Sequence, residues 1–338
     1  MSEFGNEKGT GSDSASLRGS VWATALALGL AFVVATLPAA AGASYPGKNG
    51  RIFFLARDAA GVRQVFSVNP RGRDRRRITS ERFGVLSLAV SPRGERIAYT
   101  RASAAGEVNI FSARGRDGKA RRKLTSIPVS RGFANSPTFS ANGRLIAYEM
   151  IGPLSFRSER LMVMGSNGRG KRVLVSTPAS FYLEDPAFSP NGRRVAYTKV
   201  LAFDVANKAI ETARVSDGRG KRVVAEFQAD DDKSFSQPDY SPNGERVVFV
   251  SNPAALLNNN LLMNTAAAGR AVLRPLEDSR FDTDFSHPVY SPDGRRILAV
   301  ETSRSSATGE LVRLNGDGSG RSRVLRAELL DYPVWVRR

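Results

Sequence analysis

The stretch "SPDGRRILAV" at residues 291–300 has four close relatives elsewhere in the chain. They read "SPRGERIAYT" from residue 91, "SANGRLIAYE" from 140, "SPNGRRVAYT" from 189 and "SPNGERVVFV" from 241. Their leading serines are separated by 49, 49, 52 and 50 residues. A period of this size is typical of repeat architectures such as propellers, in which one supersecondary unit is stacked against its copies.

Each repeat unit predicts four short antiparallel strands, which we label a to d from the hub of the propeller outward. Strand a runs into the S-P-x-G phrase, whose second-position proline and fourth-position glycine suit a type I turn. Alternating apolar residues then predict strand b, as in "VVF" at 247–249. Strand c is exemplified by "VNIFS" at 108–112 and strand d by "RKLTS" at 122–126. Four such strands make one propeller blade.

The two ends of the chain predict how the ring closes. The segment "NGRIFFLAR" at 49–57 matches strand b with no strand a before it, and "YPVWV" at 332–336 matches strand a. A C-terminal strand a joined to N-terminal strands b to d closes the ring and leaves no open sheet edge at the junction. The fold class is therefore an all-β, six-bladed propeller of four-stranded antiparallel blades. Its predicted a strands are 86–90, 135–139, 184–188, 236–240, 286–290 and 332–336, and the first, "LSLAV", lacks the proline and is expected to be the least regular.

The repeated phrase P-x-[FYW]-S-P-[DN]-G-x-x-[IV]-A-[YF] resembles the TolB family of six-bladed propellers. It is carried by residues 137–148 and 186–197 and, less strictly, by 238–249 and 288–299. The resemblance covers the chain from residue 45 to its end and implies an exported propeller that acts by binding. TolB itself has an additional N-terminal domain, which we do not expect here. Its partnership with an outer-membrane lipoprotein and the Tol proteins is therefore not carried over.

Residues 1–43 differ in composition from the remainder and are predicted to be a signal peptide. An uncharged run extends from Val21 to Leu37, and Ala41-Gly42-Ala43 offers a cleavage site before Ser44. An uncleaved N-terminal anchor is the alternative, because the run of 17 residues lies at the lower limit for spanning a bilayer. Both alternatives predict that the propeller, residues 44–338, works in the periplasm or outside the cell.

The composition restricts the chemistry and the partners. The chain has no cysteine, a single histidine (His287) and a formal net charge of +18. Disulfides, thiolate sites and histidine-rich metal centres are excluded. The charge favours an anionic polymer or lipid of the cell envelope as the partner, and an envelope protein is the alternative. We expect no nucleic acid partner in the cell, because the protein is exported and its basic turns lack stacking aromatics. We also expect a monomer.

Basic residues are concentrated in the predicted turns between strands c and d. In an antiparallel blade the a–b and c–d turns leave on the same face, so these residues predict a basic face for docking polyanions. The alternative is an ordinary solvated surface. The residues proposed for this face are Arg73, Arg75, Arg76, Arg116, Arg121, Arg122, Arg169, Lys171, Arg219, Lys221 and Arg321.

Acidic residues fall mainly in the predicted d–a crossovers, on the opposite face and near the mouth of the central channel. Together with His287 they form a candidate site for a small ligand or for Ca²⁺, the cofactor such oxygen-rich clusters favour. Solvated loops and a structural hub histidine are the alternatives. The acidic residues are Glu184, Asp185, Asp231, Asp232, Asp282, Asp284 and Asp331.

These patterns favour a binding module over an enzyme, since they contain no recognisable catalytic constellation and require no cofactor. The rival hypothesis is a propeller enzyme of the lactonase, lyase or sugar dehydrogenase type, with a ligand or metal site at the channel mouth. Prolyl-oligopeptidase propellers are a weaker rival, because they are fused to a hydrolase domain and no G-x-S-x-G motif occurs here.

Overall fold

The computed structural model describes residues 45–153, 159–178, 180–202, 204–226, 233–253, 260–265, 274–277, 283–303 and 308–338. The predicted signal peptide or anchor, residues 1–43, lies outside these residues, as do Asp231, Asp232 and Asp282. Within the described ranges, no helix combines the length and the apolar character needed to cross a bilayer.

The described strands form six antiparallel sheets of four strands each, which confirms the predicted fold class. Blade 1 contains β4 (Ser87–Val90), β5 (Arg96–Ala102), β6 (Val108–Arg114) and β7 (Arg122–Lys123). Blade 2 contains β8 (Phe133–Phe139), β9 (Leu145–Ile151), β10 (Glu159–Gly165) and β11 (Arg172–Ser176). Blade 3 contains β12 (Phe181–Phe188), β13 (Arg194–Leu201), β14 (Asp204–Arg214) and β15 (Arg222–Ala225).

The remaining blades follow the same order from hub to rim. Blade 4 contains β16 (Lys233–Tyr240), β17 (Arg246–Pro253), β18 (Asn260–Thr265) and β19 (Arg274–Glu277). Blade 5 contains β20 (Thr283–Tyr290), β21 (Arg296–Ser303), β22 (Thr308–Asn315) and β23 (Ser322–Glu328). Blade 6, the seam blade, combines β24 (Asp331–Arg337) with β1 (Asn49–Arg57), β2 (Arg63–Val68) and β3 (Arg76–Arg77). A short 3-10 turn, Val129–Arg131, precedes blade 2.

The seam blade closes the ring as predicted from the two chain ends. Ile52 of β1 pairs with Trp335 of β24, and Phe53 pairs with Val334. The Trp335 indole is 3% exposed, and its Nε1 donates a hydrogen bond of 3.1 Å to the Gly50 carbonyl. Strand β24 also contacts blade 1 through β4 and blade 5 through β20. The first and last strands therefore pack between the same two neighbours.

Five of the six innermost strands contain a bulge at the residue before the proline that these five strands share. These residues have φ between 45° and 56°, in the left-handed region. The a–b register shifts across each of them. Strand β4 has no proline there and pairs with β5 without any shift, so its pairing is the most regular, contrary to expectation. The five residues are Ser136, Asp185, Gln237, His287 and Tyr332.

Neighbouring blades meet where the c–d turn of one blade lies against strand d of the blade before it. Gly218, in the turn after β14, has φ +70°, and a Cβ there would lie 1.7 Å from the carbonyl oxygen of Leu174 in β11. Gly220 in the same turn has φ +60°, but a Cβ would meet only the flexible Arg214 side chain, at 3.4 Å.

Replacing Gly218 with alanine is therefore expected to destabilise the fold by about 3 kcal/mol, through left-handed strain plus a backbone clash. Gly220→Ala is the matched control. It is expected to lower the free energy of unfolding by about 1 kcal/mol, through the left-handed backbone conformation alone. Chemical denaturation of both variants measures the difference. Equal losses would show that the turn does not pack against blade 2.

Candidate functional site

The left-handed residues of blades 3 to 6 are each contacted by a side chain of the blade before, three through hydrogen bonds and the last through ring stacking. The backbone N–H of Asp185 donates to Glu149 Oε1 of blade 2 at 2.8 Å. The N–H of Gln237 donates to Asp185 Oδ2 at 3.2 Å, and the N–H of His287 donates to Gln237 Oε1 at 2.8 Å. The His287 ring stacks on Tyr332 of the seam blade with centroids 5.1 Å apart. Each blade thus holds the strained residue of the next one in place, from blade 2 to blade 6.

Three carboxylates on blades 2 and 3 form the acidic part of this hub. Burial raises the pKa of Glu149 well above its ordinary value, and the neighbouring charges of Asp185 and Glu184 raise it further. Burial and the charge of Glu184 likewise raise the pKa of Asp185. Asp185 is 0% exposed, and its Oδ1 and the Oε2 of Glu184 have no hydrogen-bond partner within the described residues. The cluster therefore favours a proton or a positively charged group beside it.

His287 and Asp331 form the second charged group of the hub. Their side chains approach to 2.8 Å between Nδ1 and Oδ1, and Arg63 Nη2 lies 3.1 Å from Asp331 Oδ2. Burial would raise the pKa of Asp331, but the His287 imidazole and the Arg63 guanidinium outweigh it, so that the pKa is lowered. His287 is therefore held at the hub between the Asp331 carboxylate and the Tyr332 ring, and its role stays a prediction.

The four acidic residues of the candidate site that the structure describes all lie in innermost strands. The sequence had placed Glu184 and Asp185 both in a crossover and in the predicted strand a of 184–188, and Asp284 and Asp331 in crossovers only. Asp185 is the clearest case, because the bulge lets the chain pair with β13 on both sides of it, at Glu184↔Thr198 and at Ala187↔Ala196. The strand therefore begins at Phe181, earlier than expected. The four residues are Glu184 and Asp185 in β12, Asp284 in β20 and Asp331 in β24.

No group of three or more histidine, aspartate or glutamate side chains with the geometry of a metal site occurs among the described residues. Asp231, Asp232 and Asp282, which belong to the proposed calcium ligands, are outside those residues. Calcium binding therefore stays a prediction.

Tyr45 closes one end of the hub and was not singled out by the sequence. Its ring is 1% exposed and packs in one apolar cluster with Phe139 and Phe188, the last residues of β8 and β12. Its hydroxyl donates a hydrogen bond of 2.7 Å to the Val90 carbonyl at the end of β4. Because these strand ends lead into the a–b turns, Tyr45 fills the hub on the side of those turns. The available signal was an aromatic residue two positions after the predicted leader of residues 1–43.

The a–b and c–d turns lie together on one face, which we call the turn face. The two kinds of turn are linked by backbone hydrogen bonds from Gly115 to Glu95 and from Ser166 to Arg144, each 2.8 Å long. Equivalent bonds of 2.9 and 2.8 Å occur in blades 3 and 5. The ion pairs Arg57–Glu328 and Arg63–Asp331, both 3.1 Å long, link the b–c side of blade 6 to the two strand ends that flank the preceding crossover. The predicted division between the two faces is confirmed for these turns.

All eleven basic residues predicted for the turn face are exposed, but they are not equally free to bind. Arg121 pairs with the buried Glu81, Arg321 pairs with Glu301, and Arg75 covers the Phe66 ring at 4.3 Å. Arg76 shares Asp74 with Arg51. The side chains of Arg73, Arg122, Arg169, Arg219 and Lys221 make no hydrogen bond or ion pair with the described residues, and Lys171 reaches only the Gly168 carbonyl.

Solved structures with the same fold include TolB proteins. TolB from Acinetobacter baumannii superimposes with a TM-score of 0.66 at 18% identity, covering 86% of this chain and 67% of that one. The putative TolB from Agrobacterium tumefaciens gives 0.61 at 15% identity, covering 86% and 100%. An oligogalacturonate lyase in complex with manganese gives 0.53 at 13% identity, covering 83% and 74%. No family model and no curated protein matches the chain. These likenesses establish a TolB-like propeller fold, which TolB proteins and an oligogalacturonate lyase share.

Proposed function

We propose that the protein is an exported binding module of the cell envelope that docks an anionic partner on its turn face. The observation that carries the proposal is the linkage of the a–b and c–d turns, which gathers exposed basic residues from several blades on one surface. Export is supported by the sequence of residues 1–43. An anionic polymer or lipid suits a flat, multivalent surface of this charge better than a small pocket-bound ligand does.

Guanidinium and ammonium groups without internal partners are the ones available to such a ligand. Arg169 and Arg219 occupy the same position in the c–d turns of blades 2 and 3, and both are exposed. Neither makes an ion pair or side-chain hydrogen bond within the described part of the chain. Each contact that neutralises an anionic group releases counterions, so binding is expected to weaken steeply as salt is raised.

The double variant Arg169→Gln/Arg219→Gln is expected to lose affinity for dextran sulfate and for vesicles containing phosphatidylglycerol. The slope of log affinity against log salt should fall in magnitude by about 2, one unit for each lost contact. The matched control is Arg57→Gln/Arg160→Gln, which removes two exposed charges at the b–c side of the blades. Equal weakening by both double variants would contradict docking on the turn face.

A second candidate function is a small-ligand or catalytic site at the hub, favoured by the unpartnered oxygens of Asp185 and Glu184. Such a site would take a cationic ligand from the crossover side, since Tyr45 fills the other end. Asp185→Asn removes this charge and leaves the turn face intact. A cationic ligand lost in Asp185→Asn and kept in Arg169→Gln/Arg219→Gln would favour this second function.

A further inference from the structure

A cavity of about 340 Å³ opens on the turn face between the seam blade and blade 1; we call it the seam pocket. Its floor is apolar and consists of Phe53, Ile78 and Val336, which belong to one buried core cluster. Six arginines surround this floor, three from the seam strands β1, β3 and β24, one beyond β24 and two from the turns of blade 1. They are Arg51, Arg76, Arg93, Arg116, Arg337 and Arg338.

One wall of the seam pocket is held rigidly. Arg51 donates to Asp74 Oδ2 at 2.7 Å and to the Asp74 carbonyl at 2.6 Å, and its Nε donates to Ser67 Oγ at 3.1 Å. Arg76 binds the same Asp74 carboxylate at 2.8 Å. Both guanidinium groups lower the pKa of Asp74, which therefore stays ionised. One carboxylate balances two arginines on this wall.

The opposite wall has little compensating charge. Arg116 lies 3.7 Å from Asp117, whose carboxylate Arg114 already holds at 2.6 Å. Hydrogen bonding to Arg114 lowers the pKa of Asp117 to about 2. Arg93 makes no side-chain hydrogen bond or ion pair with any described residue. The wall formed by Arg93 and Arg116 therefore presents positive charge that the described carboxylates neutralise only in part.

Arg93 is also the exception among the five repeated a–b turns, four of which read S-P-x-G and one, in blade 2, S-A-N-G. The equivalent residues in blades 2 to 5 are Asn142, Asn191, Asn243 and Asp293. In each of those turns the leading serine hydroxyl donates to this side chain at 2.7–2.9 Å. Blade 1 gives up that turn-stabilising bond and places a guanidinium at the mouth of the seam pocket instead.

We propose that the seam pocket is a specific site for a sugar-sized ligand that carries a phosphate or carboxylate group. The proposal rests on the proposed function, since it names the unit of an anionic polymer that the turn face recognises. The volume lies near the lower limit for small-molecule pockets, about 300 Å³. Converging guanidinium groups match the geometry of carboxylate and phosphate oxygens, and the apolar floor suits the carbon face of a sugar ring.

The test compares three probes, glucose 6-phosphate, glucuronate and glucose, by titration calorimetry with the wild-type protein and two variants. Arg93→Asn restores the asparagine of the other turns, so its folding stability should equal or exceed that of the wild type. Arg193→Gln is the control, because it removes one exposed positive charge from the a–b turn of blade 3, away from the seam pocket. We expect at least one charged probe to bind, with about tenfold loss in Arg93→Asn and no loss in Arg193→Gln.

The two charged probes distinguish the oxyanion, since binding of only one identifies phosphate or carboxylate as the group recognised. Glucose should not bind. Absence of binding by both charged probes, or equal loss in the two variants, would overturn the seam pocket as a specific site. In those cases salt-dependent binding of dextran sulfate would still support the proposed function. If the wild-type protein also failed to bind dextran sulfate, the proposed function itself would be contradicted.

Discussion

Trp335→Ala is expected to lower the free energy of unfolding by about 3–5 kcal/mol, the usual cost of truncating a buried tryptophan. The indole is buried against Ile52 and Phe54 of β1 and Val289 of β20. Its loss leaves a cavity at the strand pair that closes the ring and removes the hydrogen bond to Gly50. Guanidinium denaturation followed by tyrosine fluorescence or circular dichroism measures the change.

Phe83→Ala provides the matched aromatic truncation. Phe83 is 46% exposed, and the Arg82 guanidinium lies 5.4 Å from its ring centroid. Surface truncations of this kind usually change stability by about 0.5 kcal/mol or less. If Trp335→Ala and Phe83→Ala had similar small effects, the C-terminal strand would not complete the seam blade.

Glu149→Gln is expected to gain stability relative to the wild type as the pH rises above about 4, the ordinary glutamate pKa. The folded state raises the pKa of Glu149, chiefly by burial. The stabilising effect of its proton is therefore complete below the unfolded pKa and is lost as the pH rises through the folded pKa. Glutamine stays neutral throughout. Between the unfolded and the folded pKa, the difference in the free energy of unfolding between Glu149→Gln and the wild type should grow by about 1.4 kcal/mol per pH unit. The interacting carboxylates of Glu149, Asp185 and Glu184 share this pH dependence.

The side chain that replaces Glu149 can keep its hydrogen bonds. Its oxygen would still accept from the Asp185 N–H, and Asn135 can turn its amide, because Asn135 Oδ1 has no partner within the described residues. The fold is therefore expected to survive the substitution. Thermal unfolding of the wild type and Glu149→Gln across a pH series gives the difference.

Asp74→Asn is a control of opposite sign for this pH series. Hydrogen bonds from Arg51 and Arg76 lower the pKa of Asp74. Its contribution is present above the unfolded pKa and is lost as the pH falls through the folded pKa. Asparagine also tolerates the left-handed φ of +54° at this position.

A stability difference for Glu149→Gln that did not change with pH would contradict the buried carboxylate cluster.

The sequence predicted the architecture because its turn chemistry repeats. Each S-P-x-G phrase places a proline and a glycine where a type I turn needs them, so counting the phrases and the two unmatched end strands gave six blades. The pairing of Trp335 with Ile52 confirms the inferred seam. The common face of the a–b and c–d turns followed from antiparallel pairing alone.

The hub was harder to predict because its signals resemble those of a loop. Polar residues before a proline, as in "LEDP" at 183–186, usually mark a turn. Here Asp185 adopts a left-handed conformation that keeps the strand paired on both sides. The acidic partner Glu149 lies in the middle of a strand b, and only the packing of blade 2 against blade 3 brings it to Asp185. Contacts of that kind depend on blade stacking and leave no local pattern.

Arg93 illustrates a signal that the sequence did contain. The repeat alignment shows an arginine where the other blades have asparagine or aspartate. Its significance became visible only when the structure placed it beside the apolar floor of Phe53 and Val336.

The central claim, anionic docking on the turn face, is tested most directly by co-sedimentation of the purified protein with cell-envelope fractions at low and high salt. We predict retention at low salt, release at high salt, and weaker retention of Arg169→Gln/Arg219→Gln than of Arg57→Gln/Arg160→Gln. Retention that survives high salt, or no retention at either salt, would contradict the claim.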